Sequence, residues 1–320
     1  MIAQMRKYIE HATVNNAGIN LYLALKGAEG KVEIKRTDLK EGSTQYNLKK
    51  QFIDALRWEF IEKSAEDEMH IVPLSTADER VDVLYHYDLE EFPQNLKYFS
   101  EFDTQNEYAT FSFENDDLMK VDAYMIVIGT QDSYCVIYKK FYPVFLLGRG
   151  GFCLVPAKQR FEEFDKELLR INSDYQFIRI NGQIYIKDIK TLEKFGGFKD
   201  IIEKEANIAL QTIEGMEILE ESEGLKESLL EDISFARKLC KVKKTSPVLE
   251  LNIPNTAIIE FSKSHPGVAG KLRYSDDGNK ILLTTKKSQQ IFLALLDDSF
   301  LVSELTKSFY NSHTKEKVEE

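Results

Sequence analysis

A stretch in the middle of the chain, residues 176–215, constrains the fold most, because its hydrophobic period changes part-way along it. Four isoleucines alternate with polar residues on either side of the dipeptide Asn181-Gly182: Ile178, Ile180, Ile184 and Ile186. Asn and Gly tolerate the positive φ of a tight turn, so the pattern predicts a β-hairpin with one buried face. After Gly196-Gly197 the apolar residues recur every three to four positions as far as Gly215. This spacing predicts a long amphipathic helix that follows the hairpin.

Strand and helix periods recur on both sides of this stretch. Predicted strands are residues 19–26, 31–36, 123–129 and 134–139, and shorter apolar runs lie at 69–74 and 81–87. Predicted helices are residues 44–63, 161–171, 223–241 and 287–310, and a last hairpin pairs 271–274 with 281–285. Ser43 or Thr44 is a candidate N-cap for the first helix, and Thr76 and Glu79 have capping-box spacing. The predicted fold is therefore α+β, with a mixed, largely antiparallel sheet and packed amphipathic helices.

The pattern offers one boundary between modules. An acidic polar stretch at residues 115–120 precedes the strongest predicted strands. We therefore expect an acidic N-terminal α/β module, residues 1–118, and a C-terminal α+β module, residues 119–320, that carries a basic patch.

Cysteine spacing and hydropathy indicate the cell compartment. Cys135, Cys153 and Cys240 are odd in number and far apart, which argues against a disulfide framework and against a zinc site. No apolar run approaches the length of a membrane span, and the N-terminus lacks the apolar core of a signal peptide. We expect a cytoplasmic protein that does not itself insert into the membrane.

Motifs for catalysis are missing from the local sequence. No two histidines have metal-ligand spacing, and neither a P-loop nor a GxSxG pattern occurs. Glu33 and Lys35 lie on one predicted strand and have the Glu-x-Lys spacing of some nucleases. No Asp precedes them in a position to complete a Mg²⁺ site. The sequence thus predicts no enzyme, no metal and no cofactor. A nuclease whose carboxylates come together only in three dimensions stays open as an alternative.

The positive charge is concentrated near the C-terminus. The whole chain has a net charge of −11, whereas residues 236–290 carry 11 basic and 4 acidic side chains. Such a block can neutralise phosphates, although no signature of base-specific readout accompanies it. The helix dipole explains basic residues at the end of the predicted 223–241 helix, but Lys243 and Lys244 would lie beyond that helix. The predicted DNA-binding residues are Lys238, Lys241, Lys243, Lys244, Lys271, Arg273, Lys286 and Lys287.

The C-terminal stretch carries the most specific signal. Residues 281–317 combine an apolar strand, the Lys286-Lys287 pair, the run Phe292 to Asp298, and the block Ser303 to Thr306. With the segments 77–88, 192–195 and 234–239, this stretch resembles the KwaB-like proteins of the bacterial Kiwa anti-phage defence system. The resemblance implies a homodimeric cytoplasmic effector that binds DNA and blocks phage replication or late transcription. It also implies a membrane-embedded partner, KwaA, that recruits the effector to the inner membrane.

The favoured hypothesis is DNA binding in anti-phage defence through the phosphate backbone. One alternative is an adaptor that does not bind DNA, in which the acidic N-terminal surface docks basic loops of a membrane sensor. The nuclease with carboxylates assembled only in the fold is the other.

Overall fold

The computed structural model describes residues 2–14, 17–27, 30–62, 70–76, 83–130, 133–142, 146–147, 154–158, 160–163, 168–303 and 305–311. Contacts divide the chain into two compact units. Unit 1 comprises Met1–Leu74 and Arg80–Gly196, and unit 2 comprises Ser75–Glu79 and Gly197–Glu320. The module boundary expected at residue 118 lies inside unit 1. The capping-box spacing of Thr76 and Glu79 falls in part outside the described residues, because Glu79 is not among them.

Unit 1 is built on a large sheet. Its helices are α1 (Ile2–Ala12), α2 (Ser43–Arg57), α3 (Lys97–Ser100) and α4 (Ile189–Phe195). Its strands are β1 (Gly18–Lys26), β2 (Val32–Arg36), β3 (His70–Pro73), β4 (Val83–His86), β5 (Val121–Gly129), β6 (Tyr134–Lys140), β7 (Leu146–Leu147), β8 (Leu154–Ala157), β9 (Arg160–Glu163), β10 (Leu168–Leu169), β11 (Phe177–Ile180) and β12 (Gln183–Ile186). Eight strands form one sheet in the order β2-β1-β5-β6-β11-β12-β4-β3, and only the β3–β4 pair is parallel. The predicted mixed, largely antiparallel α+β fold is confirmed.

The 177–186 hairpin lies in the middle of this sheet, between β6 and β4. Asn181 and Gly182 have φ of 48° and 74°, as the predicted tight turn requires. The prediction of a single buried face is wrong. A two-residue turn pairs Ile178 with Tyr185 and Ile180 with Gln183, so Ile184 and Ile186 point to the opposite face from Ile178 and Ile180. Both faces are covered, because helices pack on one face of the sheet and the aromatic residues around 97–100 pack on the other.

Helices α1 and α2 cover one face of the sheet. Ile9 of α1 and Phe52 of α2 are fully buried against Ile126 and Ile178 of the strands. The N-cap of α2 is Gly42 with φ of 85°, so the prediction of a Ser43 or Thr44 cap is wrong. A π-helical turn, Trp58–Glu62, continues α2 and buries Phe60 in the same core.

Aromatic rings cover the opposite face. Tyr138 stacks on Phe177 with ring centroids 4.9 Å apart, and Phe99 of α3 contacts both rings. Arg179, on this face of β11, donates to the carbonyl oxygens of Ser100 and Phe102. The segment around α3 is therefore held on the sheet by packing and by a partly buried guanidinium.

The helix predicted at residues 161–171 is wrong. The described part of this segment forms the short strands β9 and β10. Phe161 is 69 % exposed and every residue of β9 is exposed, so the helical spacing of apolar residues here did not mark a buried face. Strand pairing with β8 decided the local structure.

Unit 2 is mainly helical. Its helices are α5 (Phe198–Gly215), α6 (Glu223–Glu231), α7 (Ile233–Thr245), α8 (Pro247–Glu250), α9 (Asn255–Ser264) and α10 (Lys286–Leu296). Its strands are β13 (Arg273–Tyr274), β14 (Ile281–Leu282), β15 (Phe300–Val302) and β16 (Phe309–Asn311), which form two hairpins. The predicted long helix is α5, but it belongs to unit 2, whereas the hairpin that precedes it belongs to unit 1.

Two helix predictions in unit 2 need correction. The predicted 223–241 helix is two helices, because Asp232 leaves the helical region and its carboxylate accepts from the N–H of Ser234 to cap α7. Helix α7 then continues to Thr245, so Lys243 and Lys244 lie inside its last turn and not beyond a helix. The helix predicted to run to residue 310 ends at Leu296, and the β15–β16 hairpin follows.

The core of unit 2 is formed where α5, α6, α7 and α10 pack together. Ile202, Leu229, Leu239 and Phe292 are among its fully buried side chains. No helix among the residues that the structure describes is long and apolar enough to cross a membrane.

Candidate nucleic-acid interface

A cleft of 270 Å³ in unit 2 brings together two of the predicted DNA-binding lysines. We call it the basic cleft. Its lining is Gly267, Lys271, Lys287, Gln290, Ile291, Ala294, Ser299 and Phe300. The lining contains two cationic side chains and no carboxylate, so the cleft is electropositive although the whole chain is acidic.

Helix α10 supplies one wall of the basic cleft. Lys287, Gln290, Ile291 and Ala294 are spaced i, i+3, i+4 and i+7, which places them on one helix face. Thr285 and Ser288 begin the helix with a capping box: each side chain accepts from the backbone N–H of the other. Because Lys287 is in the first turn, its ammonium lies at the positive end of the helix dipole. An anion placed there would interact favourably with both.

The loop that follows α9 supplies the second wall. Helix α9 is followed by its C-cap residue His265, whose carbonyl oxygen accepts from the N–H groups of Val268 and Ala269. The loop then folds so that the Lys271 ammonium donates to the carbonyl oxygen of Gly267 at 2.6 Å. That bond restrains the side chain but leaves its charge without a carboxylate among the described residues.

His265 and Gly267 set the shape of this wall. The buried His265 ring stacks on Phe261 at 5.0 Å, and its Nδ1 accepts from the N–H of Gly267 at 3.0 Å. The proton of a neutral ring is therefore on Nε2, which has no hydrogen-bond partner among the described residues. A Cβ at Gly267 would come within 3.0 Å of both His265 and Phe300. Glycine at 267 thus allows the loop to approach the β15 wall closely.

The third wall is the start of β15. The chain turns back after α10 at Asp298, which has φ of 50°. The N–H of Ser299 then donates to the carbonyl oxygen of Ala294 at 2.9 Å. This bond brings Ser299 and the buried ring of Phe300 against the face of α10 that carries Ala294.

The other predicted residues are not all available for binding. Lys286 makes an ion pair with Glu231 at 2.9 Å, and Lys241 makes one with Asp297 at 3.3 Å. Lys286 and Asp297 stand at opposite ends of α10, about 16 Å apart at 1.5 Å per residue. The eight residues therefore do not form a single cluster.

The remaining four predicted residues are exposed on the surface of unit 2. Lys238, Lys243 and Lys244 lie on α7, the last two in its final turn, where the helix dipole favours cations. Arg273 lies on β13. Of the eight, only Lys271 and Lys287 line the same cleft.

Comparison with known proteins identifies the family. The family model described as Kiwa protein KwaB-like matches residues 118–306. The chain is also 30 % identical over 325 aligned residues to Kiwa protein KwaB of Escherichia coli O55:H7 (strain RM12579 / EPEC), with 99 % of each chain covered. The chain belongs to the KwaB-like family. This membership supports a role in the Kiwa anti-phage defence system. No solved structure matches the chain.

In this KwaB-like protein, sequence reasoning identified two of the eight residues that line the basic cleft and missed the other six. Gln290, Ile291 and Ala294 follow Lys287 at helical spacing, so an i, i+3, i+4, i+7 stripe in the sequence could have indicated a shared face. No local signal points to Ser299 or Phe300, which reach the cleft only because the chain turns back at Asp298.

Three side chains of types that can take part in catalysis, Lys35, Cys135 and Cys240, have partners or burial that the structure describes. Lys35 of the Glu-x-Lys pair donates to Asp116 at 2.5 Å, and this bond holds the pKa of the Asp116 carboxyl below its usual range. Burial raises the pKa of the Cys135 and Cys240 thiols to about 12. Within the described residues no group of three or more His, Cys, Asp or Glu side chains could hold a metal ion.

Proposed function

We propose that this KwaB-like protein acts in Kiwa defence by binding DNA through the phosphate backbone, and that the basic cleft is the centre of the binding surface. The observation that carries the proposal is the position of Lys271 and Lys287 on one cleft whose lining contains no carboxylate. Bound protein would obstruct phage DNA replication or late transcription.

The physical basis is release of condensed counterions. Each phosphate that an ammonium group neutralises makes log K fall with log[salt] by about 0.9 for duplex DNA. Lys271 and Lys287 would make two such contacts, and the exposed Lys238, Lys243 and Arg273 would add to the positive potential of unit 2. Lys241 and Lys286 would contribute less, because each is already paired with a carboxylate.

Other parts of the proposal concern assembly. We propose that the protein is a cytoplasmic homodimer without enzymatic activity, and that the membrane protein KwaA recruits it to the inner membrane. Incubation with DNA and Mg²⁺ or Mn²⁺ tests the absence of nuclease activity. Intact DNA is expected, and cleavage that a chelator abolishes would contradict it.

An adaptor that does not bind DNA is the second candidate. The sequence placed its docking surface on the acidic N-terminal module, whereas the acidic cleft that favours an adaptor lies in unit 2. This cleft has a volume of 440 Å³, and its lining includes four carboxylates: Glu214, Glu217, Glu220 and Glu221. Glu214 and Glu220 are paired with lysines, but Glu217 and Glu221 form no ion pair with any described residue. A basic loop of a membrane protein would complement it. Glu217→Lys/Glu221→Lys should then abolish binding of an Arg- and Lys-rich peptide in calorimetry.

Fluorescence anisotropy of a labelled duplex over a salt series tests DNA binding. Lys271→Ala/Lys287→Ala should reduce the salt slope by about 1.8 and weaken binding about 60-fold at 0.1 M salt. Lys226→Ala/Lys280→Ala removes the same charge from ion pairs with Glu214 and Glu220 and is the matched control. Equal slopes for the two double variants, or no binding by the wild type at 0.05 M salt, would overturn the proposal.

A further inference from the structure

Part of the basic cleft is apolar and has no role in phosphate binding. Ile291, Ala294 and the ring of Phe300 form an apolar floor. Ile291 and Ala294 are partly exposed in the free protein. A ligand that offered only phosphates would leave this apolar surface in water.

The floor is accompanied by neutral hydrogen-bonding groups. Gln290 is exposed on the rim, and its side-chain amide offers two N–H donors and a carbonyl acceptor. Ser299 offers a hydroxyl, which donates to Asp297 at 3.2 Å. Apolar faces with donors and acceptors at the edge are the chemistry of a nucleobase. The cleft therefore presents, side by side, groups that suit a base and groups that suit its phosphates.

Size and access decide which form of nucleic acid fits. A volume of 270 Å³ is close to the lower end of the range for small-ligand sites, about 300 to 1,000 Å³, so the cleft has room for one small ligand group. In a duplex the bases are stacked and paired, so their faces cannot reach the floor of a cleft of this size. An unpaired base can.

We infer that the basic cleft takes one unpaired nucleotide, with its base on Ile291, Ala294 and Phe300 and its phosphates between Lys271 and Lys287. This inference rests on the proposed function and adds to it a preference for single strands over duplex. The same chemistry would fit a free mononucleotide, so the test includes both.

The experiment compares a labelled oligo-dT strand with a duplex of the same length by anisotropy. The wild type should bind the single strand at least tenfold more tightly. Ala294→Leu keeps a good helix former but fills the floor, so it should remove this excess. Gln290→Ala, at an exposed position, should reduce the excess without affecting the fold. Ala257→Leu, on the exposed face of α9, is the control and should bind like the wild type.

The outcomes are distinguishable. Equal affinity for both DNA forms, or an excess that survives both Ala294→Leu and Gln290→Ala, would overturn the inference and leave the proposed function intact. If Lys271→Ala/Lys287→Ala has the same salt slope as the control Lys226→Ala/Lys280→Ala, the proposed function itself is overturned. Competition by thymidine monophosphate at the concentration that saturates oligo-dT would identify a free nucleotide as the ligand and overturn the preference for a strand.

Discussion

Two adjacent lysines, Lys286 and Lys287, should contribute very differently to DNA binding. Both are exposed and both open α10. Lys286 pairs with Glu231 at 2.9 Å, and this bond raises the pKa of its ammonium group. Lys287 lines the basic cleft and makes no ion pair with any residue that the structure describes. The perturbation is therefore Lys287→Ala compared with Lys286→Ala.

The magnitude follows from one phosphate contact. Loss of one contact lowers the salt slope by about 0.9, which at 0.1 M salt weakens duplex binding about eightfold. Lys287→Ala should show this full effect. Lys286→Ala should weaken binding less than about twofold, because a carboxylate already neutralises the ammonium that it removes.

Removing the carboxylate of Glu231 should make Lys286 available to a phosphate. Glu231→Gln leaves Lys286 without its partner, so binding should become tighter by up to about eightfold at 0.1 M salt. Adding Lys286→Ala to the Glu231→Gln variant should then weaken DNA binding by the amount of one phosphate contact, whereas Lys286→Ala in the wild type should not. Anisotropy at four salt concentrations measures the wild type and the four variants. Equal effects of Lys286→Ala and Lys287→Ala would refute the reasoning that the local partner, and not the sequence block, decides which lysine contacts phosphate.

Two further predictions concern stability. His265→Ala removes a buried ring and the acceptor for the Gly267 N–H, so it should lower the free energy of unfolding in urea by about 3 kcal/mol. His265→Asn can keep an acceptor and should lower it clearly less. Equal losses for the two variants would contradict the role of Nδ1. Burial raises the pKa of the Asp122 carboxyl, but the ammonium groups of Lys140 and Lys26 lower it more, so the folded pKa is below the usual value. The stability that this carboxylate contributes is present above about pH 4 and lost as pH falls through the folded pKa, so urea midpoints from pH 7 to pH 3 should fall more for the wild type than for Asp122→Asn.

Local patterns predicted the elements of the sheet well. The strands at 19–26, 31–36, 123–129 and 134–139 and the Asn181-Gly182 turn were found within a few residues. In each case the signal is short-range: a run of β-branched or aromatic residues bounded by turn residues. The break at Asp232 was missed because the apolar stripe continues through it, and only the cap of α7 shows that a second helix starts there.

Charge patterning predicted the location of the candidate site only in part. Lys271 and Lys287 were named from the basic block, and the structure places both on one cleft. The same block included Lys241 and Lys286, whose partners Asp297 and Glu231 are 56 and 55 positions away in the chain. No window of sequence short enough to show a pattern contains both members of such a pair.

The sequence by itself determined the α+β class, the central hairpins, the concentration of positive charge and the likeness to KwaB-like proteins, because periodicity, turn residues and composition are properties of neighbouring residues. Tertiary structure alone decided that the hairpin is buried on both faces and that it and α5 belong to different units. It also decided which lysines are neutralised and which line a cleft, because a charge is paired or left unpaired by side chains that packing brings from distant parts of the chain.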